Sequence, residues 1–179
     1  MIALRNTRTH YGWVARTLHW TTVALVLAAV VIATQAGAME AGPEKTSALT
    51  QHSALGLAIL AVMLTRLYWR IVNANPIEAY TLPRWQKIIA MSLHRGLYGL
   101  VLALALTGML QVVLRGGSLG VAERLQVANV VTENQPLGEL WRDAHVRLTY
   151  VLYGAVAFHV LGAIVHQIFG VTREANRPG

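Results

Sequence analysis

Four long apolar stretches, separated by polar and charged links, dominate the pattern along the chain. They cover residues 13–38, 48–71, 92–114 and 145–169, and the middle of each contains no Asp, Glu, Lys or Arg. About 20 consecutive apolar residues are needed to cross the hydrocarbon core of a bilayer as a helix, and only a helix satisfies its own backbone there. The pattern therefore predicts an all-α fold: one integral membrane domain over residues 1–179, built as an up-and-down four-helix bundle.

Composition agrees with a membrane protein and excludes several other classes. Hydrophobic residues make up 55% of the 179 residues and charged residues 13%, whereas a soluble domain carries about 25% charged residues. The chain has no cysteine, which excludes disulfides, thiolate metal sites, iron–sulfur clusters and covalently attached c-type haem. The net charge is +7, but the basic residues lie in links between apolar runs, so we expect no nucleic-acid partner.

Lys and Arg are unevenly distributed among the polar segments. The segments before the first stretch and between the second and third are rich in them, with Arg5, Arg8, Arg16, Arg66, Arg70, Arg84, Lys87 and Arg95. In the other two links, basic residues are matched or outnumbered by acidic ones. The positive-inside rule therefore predicts that both termini face the cytoplasm, here called the inner side. We also expect a short interfacial helix within residues 120–131, on the outer side.

Six of the seven histidines lie within the apolar stretches or at their ends. They are His19 (inner end of the first), His52 (outer end of the second), His94 (inner start of the third), and His145, His159 and His166 along the fourth. Ionisable side chains inside a membrane are costly, so each is by default a hypothesis for a functional site.

The fourth stretch indicates how these histidines are used. His145 and His159 are 14 residues apart, so on a helix they share one face and lie about 21 Å apart along the axis. One helix can then ligate two stacked cofactors. By topology, His52 shares the outer depth with His145, and His19 shares the inner depth with His159. Two histidine–iron–histidine haem sites follow as the prediction.

Other interpretations remain open at this point. A single intramembrane histidine is often only a hydrogen-bonding contact between helices. His166 lies 7 residues beyond His159 on the same face and competes with it as a ligand, while His94 can simply face headgroups. Zinc is a weaker alternative, because structural zinc takes four ligands that converge on one point.

These residues, in this order and spacing, resemble the bacterial cytochrome b-561 family over nearly the whole chain. The matching pieces are Arg16-Thr-Leu-His19-Trp20, His52, Arg66-Leu-Tyr-Trp-Arg70 with Pro76, His94-Arg-Gly-Leu-Tyr98, Thr107-Gly108, and His145, His159 and His166. Two departures are Leu106, where many members have proline, and the single histidine that ends the fourth span.

The resemblance implies a multi-pass cytochrome of the bacterial inner membrane, with two haem b groups. The axial pairs would be His19 with His159 at the inner haem iron and His52 with His145 at the outer one. Such proteins transfer electrons between a donor and the quinone pool, and some are superoxide:ubiquinone oxidoreductases. Alternatively, the chain is the cytochrome b subunit of a peripheral dehydrogenase or hydrogenase. Membrane lipid, ubiquinone and superoxide are therefore the expected partners, and a homodimer is a further candidate.

Two further assignments concern the inner side. Arg16 and Arg66 are candidate partners of the haem propionates, because a guanidinium matches a carboxylate with a bidentate fork; both residues also satisfy the positive-inside rule without touching haem. His94 and Tyr98 are candidate quinone contacts, since quinone reduction needs a donor or proton-exchanging group at headgroup depth. A quinone cleft beside residues 119–131 on the outer side is the alternative.

Overall fold

The computed structural model describes residues 4–7, 10–73, 84–117 and 132–175, with the backbone alone for 166–175. These residues form four α-helices and no β-strand. The helices are α1 (Trp13–Ala38), α2 (Pro43–Val72), α3 (Arg84–Leu114) and α4 (Gln135–Ala175). Each is long and apolar enough to cross a membrane. The predicted all-α four-helix fold is confirmed.

Three of the helices begin before the apolar stretches that predict them. α2 starts at Pro43. Proline lacks a backbone N–H, and in the first turn of a helix that group has no partner within the helix. α4 starts after Asn134, whose side-chain oxygen accepts the N–H of Leu137 at 3.1 Å and caps the first turn. The apolar windows mark only the part of a helix that suits hydrocarbon. The helical backbone continues into polar turns.

The backbones pack in chain order, and little of their apolar surface is buried within the bundle. Among the described residues, α1 packs on α2, α2 on α3, and α3 on α4. A small core forms around Ala29, Ile59 and Met63, of which Met63 is only 1% exposed. Many large apolar side chains remain exposed, such as Leu27 and Phe158. This surface fits lipid as its solvent, as expected of a multi-pass membrane protein.

Some sequence-based predictions fall on parts of the chain that the structure does not describe. The interfacial helix within 120–131 and the proline at 76 lie outside the described residues. The side chain of His166 lies outside them as well.

The segment before α1 folds back onto the start of that helix. The side-chain oxygen of Asn6 accepts the N–H of Gly12 at 2.9 Å, and the carbonyl of Leu4 lies 3.5 Å from the N atom of Val14. A Cβ atom on Gly12 would lie 2.5 Å from the backbone of Leu4 and Arg5. The absence of a side chain at Gly12 therefore permits this close approach.

We expect Gly12→Ala to detach this segment, because neither backbone can move aside without losing the contact between them. A cost of about 1 kcal/mol would raise the open fraction about fivefold. The rate of tryptic cleavage after Arg5 in detergent-solubilised protein measures this open fraction. Gly37→Ala is the matched control, since a Cβ there meets nothing within 4 Å. Equal cleavage rates in both variants would contradict the steric role of Gly12.

Candidate functional site

At the end of the bundle that is predicted to face outward, called the outer end below as its opposite is called the inner end, His52 of α2 faces His145 of α4. Their ring centroids are 6.1 Å apart, and the ring planes are nearly perpendicular, at 87°. Both side chains are partly buried. The sequence-based expectation that these two residues share one depth agrees with this contact.

The Nδ1 atoms of these two rings are bonded to backbone carbonyls of neighbouring helices. His52 Nδ1 lies 3.0 Å from the carbonyl of Ala29 on α1, and His145 Nδ1 lies 3.0 Å from the carbonyl of Leu104 on α3. A carbonyl only accepts, so Nδ1 donates in each bond and the neutral ring keeps an unprotonated Nε2. This is the tautomer that a histidine metal ligand uses when its other nitrogen is fixed by a carbonyl.

The spacing of these rings would allow both to hold one metal. An imidazole nitrogen binds a first-row metal at about 2 Å and the ring centroid lies about 1 Å further back, so two rings that held one metal between them would have centroids roughly 6 Å apart. No group of three or more His, Cys, Asp or Glu side chains suited to a metal ion occurs in the described part of the chain. A cofactor with in-plane ligands of its own, such as haem, fits a histidine pair better than zinc does.

Thr107 and Gly108 of α3 form the wall beside His145. The Thr107 hydroxyl donates to the carbonyl of Ala103 at 2.8 Å, and its oxygen lies 3.2 Å from His145 Nδ1. A Cβ atom on Gly108 would lie 3.1 Å from His145 Cε1. The small residue and its polar neighbour therefore make room for the imidazole and orient it.

At the inner end, all four helices line one cavity of about 270 Å³. Its wall includes three histidines, His19, His94 and His159, which come from α1, α3 and α4. The predicted partners His19 and His159 thus lie in a common cavity. The ring of His94 is also there, with its centroid 5.1 Å from that of His159.

The inner histidines differ from the outer pair in what their Nδ1 atoms contact. His94 Nδ1 donates to the carbonyl of Ala90 within its own helix, at 2.7 Å. His19 Nδ1 instead lies 3.2 Å from a guanidinium nitrogen of Arg66. A guanidinium only donates, so the His19 nitrogen is the acceptor in this contact.

Three arginines, Arg16, Arg66 and Arg70, line the same cavity. The Cζ atoms of Arg66 and Arg70 lie 4.9 Å and 5.4 Å from the ring centroid of Tyr98. Among the described residues that line the cavity there is no Asp or Glu. The inner cavity is therefore strongly positive, and it suits carboxylate groups or other acceptors.

Two arginines at the outer end, Arg115 and Arg142, are paired with acidic side chains instead. Arg115 contacts Glu139 at 3.2 Å, and Arg142 contacts Glu139 at 3.8 Å and Asp143 at 3.7 Å. These exposed pairs contribute little to stability. They do offset positive charge near the outer histidine pair.

Residues 10–175 match the family model of prokaryotic cytochrome b561. The chain belongs to the prokaryotic cytochrome b561 family. A comparison with curated proteins found no match. Membership implies a membrane b-type cytochrome that takes part in electron transfer, and it agrees with the paired histidines described above.

Several residues of the candidate site were not among the sequence-based predictions. Arg70 lines the inner cavity, and its position one turn after Arg66 is a signal that could have found it. Asn6 and Tyr11 line the cavity too, but they belong to the folded-back segment before α1, which has no helical periodicity to read. The carbonyl partner of His52, on Ala29, could not be inferred from residue type.

We expect Gly108→Val to lower the haem content of the protein, because the new side chain would push the His145 ring off its carbonyl partner. The haem-to-protein ratio of the purified variant measures the effect. Gly99→Val on the same helix is the matched control, since a Cβ there meets nothing within 4 Å. A Gly108→Val protein with full haem content would show that His145 needs no such space.

Proposed function

We propose that this chain binds two b-type haems and transfers electrons between a donor on the outer side and membrane quinone. The outer haem iron would take His52 and His145, and the inner one His19 and His159. The observation that carries the proposal is the outer pair. Its rings are 6.1 Å apart, and both Nδ1 atoms donate to carbonyls, so that both Nε2 atoms are free to bind a metal.

Two histidines at each haem iron would limit the chemistry to electron transfer. They would leave no open position on the iron for oxygen or substrate. Haem bound at the two depths would supply one-electron carriers across the apolar core. The protein positions these carriers by fixing ring tautomer and orientation, and its substrates react near the membrane surfaces.

Arg16 and Arg66 are proposed partners of the inner haem propionates. A neutral His19 that binds iron through Nε2 carries its proton on Nδ1, and it then cannot accept from Arg66. Arg66 would turn to another acceptor, for which a carboxylate is the matched group. This proposal is supported by the cavity wall, in which the arginines have no acidic side chain beside them among the described lining residues.

His94 and Tyr98 are proposed to contact quinone at the inner side. His94 donates through Nδ1 to Ala90, so its neutral ring keeps Nε2 as an acceptor that can take up and release a proton. Quinone reduction consumes protons, and a histidine that lines the cavity beside the predicted inner ligands can supply them.

The outer donor is proposed to be a one-electron reductant. Superoxide, the donor expected from the family resemblance, is an anion that a positive outer surface would attract. Arg115 and Arg142 contact Glu139 and Asp143, so these two arginines do not supply such a surface. Their pairing gives superoxide no advantage over a neutral donor.

We expect His145→Ala to remove the outer haem and His159→Ala to remove the inner haem, because each residue serves a different iron. Pyridine haemochrome content and the reduced spectrum of each purified variant measure this. Either variant would keep roughly half of the haem, since the other pair of ligands is untouched.

His166→Ala is the control for the fourth span, and we expect it to retain both haems. A His145→Ala or His159→Ala protein that still bound two full haems would refute the ligand assignment. A His166→Ala protein that lost one haem would also refute the assignment.

We expect His94→Leu to slow quinone reduction while both haems stay spectroscopically normal, because the substitution removes a proton-exchanging group and no predicted axial ligand. Removing such a group lowers the rate about 100-fold or more. Stopped-flow oxidation of the reduced protein by a short-chain ubiquinone measures the rate. His10→Leu is the control, a histidine before α1. Full turnover in His94→Leu would move the quinone site to the outer side.

A further inference from the structure

The ring of Tyr98 holds two arginines beside the inner cavity. Arg66 and Arg70 lie one turn apart on α2, where like charges repel each other. Their guanidinium carbons are 4.9 Å and 5.4 Å from the centroid of the Tyr98 ring, which α3 supplies. An aromatic face attracts cations at this range, and more strongly when they are partly removed from water. Tyr98 thus offsets the repulsion within the pair.

The two histidine pairs consequently lie in different fields. At the inner end, Arg16, Arg66 and Arg70 line the cavity with no Asp or Glu among the described lining residues. Three guanidiniums exceed the two carboxylates that a haem carries, so positive charge remains in excess there.

At the outer end, the Nδ1 atoms of His52 and His145 face carbonyl oxygens. A carbonyl acceptor makes the imidazole a stronger electron donor to a metal, and this favours the oxidised iron. The nearby charges of Arg115 and Arg142 are compensated by Glu139 and Asp143.

We propose, on the basis of the two-haem function above, that Tyr98 is a positioning residue for Arg66 and Arg70 and that this cationic pair makes the inner haem the electron-accepting end. Reduction adds one negative charge, which nearby guanidiniums that are partly removed from water stabilise. The inner midpoint potential is therefore the higher of the two.

Electron flow then runs from the outer side to the inner side. Each oxidation of an outer one-electron donor sends one electron inward. Two such electrons, with two protons taken up at the inner side, convert one quinone to its quinol. The direction follows from the difference in charge between the two ends.

The ring of Tyr98, rather than its hydroxyl, carries this role. Tyr98→Phe keeps the aromatic face and removes the hydroxyl, whereas Tyr98→Leu removes the face. A residue that acted only as a hydroxyl donor to quinone would leave both midpoint potentials unchanged in either variant.

The test is a spectroscopic redox titration of the purified, haem-loaded protein, with no turnover required. The two haem signals are assigned by their absence in His145→Ala and His159→Ala. In the wild type, the inner signal should be reduced first. Tyr98→Leu should shift the electron partition between the two haems about tenfold toward the outer one, which is about 59 mV for a one-electron couple. Tyr98→Phe should titrate like the wild type.

Arg70→Gln tests the same proposal while the Tyr98 ring is retained, should Tyr98→Leu fail to assemble. It should lower the inner midpoint and leave the outer one in place. Arg95→Gln is the control. It also removes one positive charge, at the inner end of α3, but Arg95 is not among the cavity-lining residues. The redox titration of this variant should match that of the wild type.

Three results would overturn the proposal: an inner haem that is reduced last in the wild type, an unchanged inner midpoint in Arg70→Gln, or an equal shift in Tyr98→Phe and Tyr98→Leu. Failure of the proposed function is distinguishable, because it appears in the wild-type spectrum itself as the lack of a second haem. That spectrum would overturn the inference along with the function. If two haems are present but their potentials do not change in the Tyr98 and Arg70 variants, the inference is overturned and the proposed function stands.

Discussion

An imidazole between apolar helices has two polar ring nitrogens, and lipid provides a hydrogen-bond partner for neither. The bundle supplies one partner from within. The carbonyls of Ala29 and Leu104 accept the Nδ1 protons of His52 and His145. Once that bond is made, the remaining ring nitrogen is unprotonated, and its lone pair can bind iron. The requirement to satisfy polar groups in the membrane thus selects the tautomer that a cytochrome needs.

The carbonyl bonds depend on how the helices pack. Small residues stand where an imidazole must come close: Gly108 leaves room for His145, and Ala29, which is buried in the core, exposes its carbonyl to His52. Thr107 directs its own proton to the backbone of α3 and turns its oxygen to His145. At this end of the bundle, the close packing of the helices therefore determines the orientation of the histidine rings.

The inner end is built on a different principle. Its cavity gathers positive charge, and Arg66 faces the Nδ1 atom of His19 where the outer rings face carbonyls. The aromatic ring of Tyr98 attracts Arg66 and Arg70 and so makes such a concentration of charge tolerable. If each histidine pair holds a haem, as proposed, the residues that surround the pairs would give the two haems unequal affinity for electrons.

The sequence alone determined the all-α four-helix fold, because the apolar length needed to cross a bilayer is a local property of the chain. It also predicted that His52 and His145 lie at one depth, since alternating helix direction sets the depth of each residue. Only the tertiary structure decided that His94 lies beside His159 and that Arg66 faces His19. Helix rotation and side-chain direction depend on packing between helices, which no local pattern encodes.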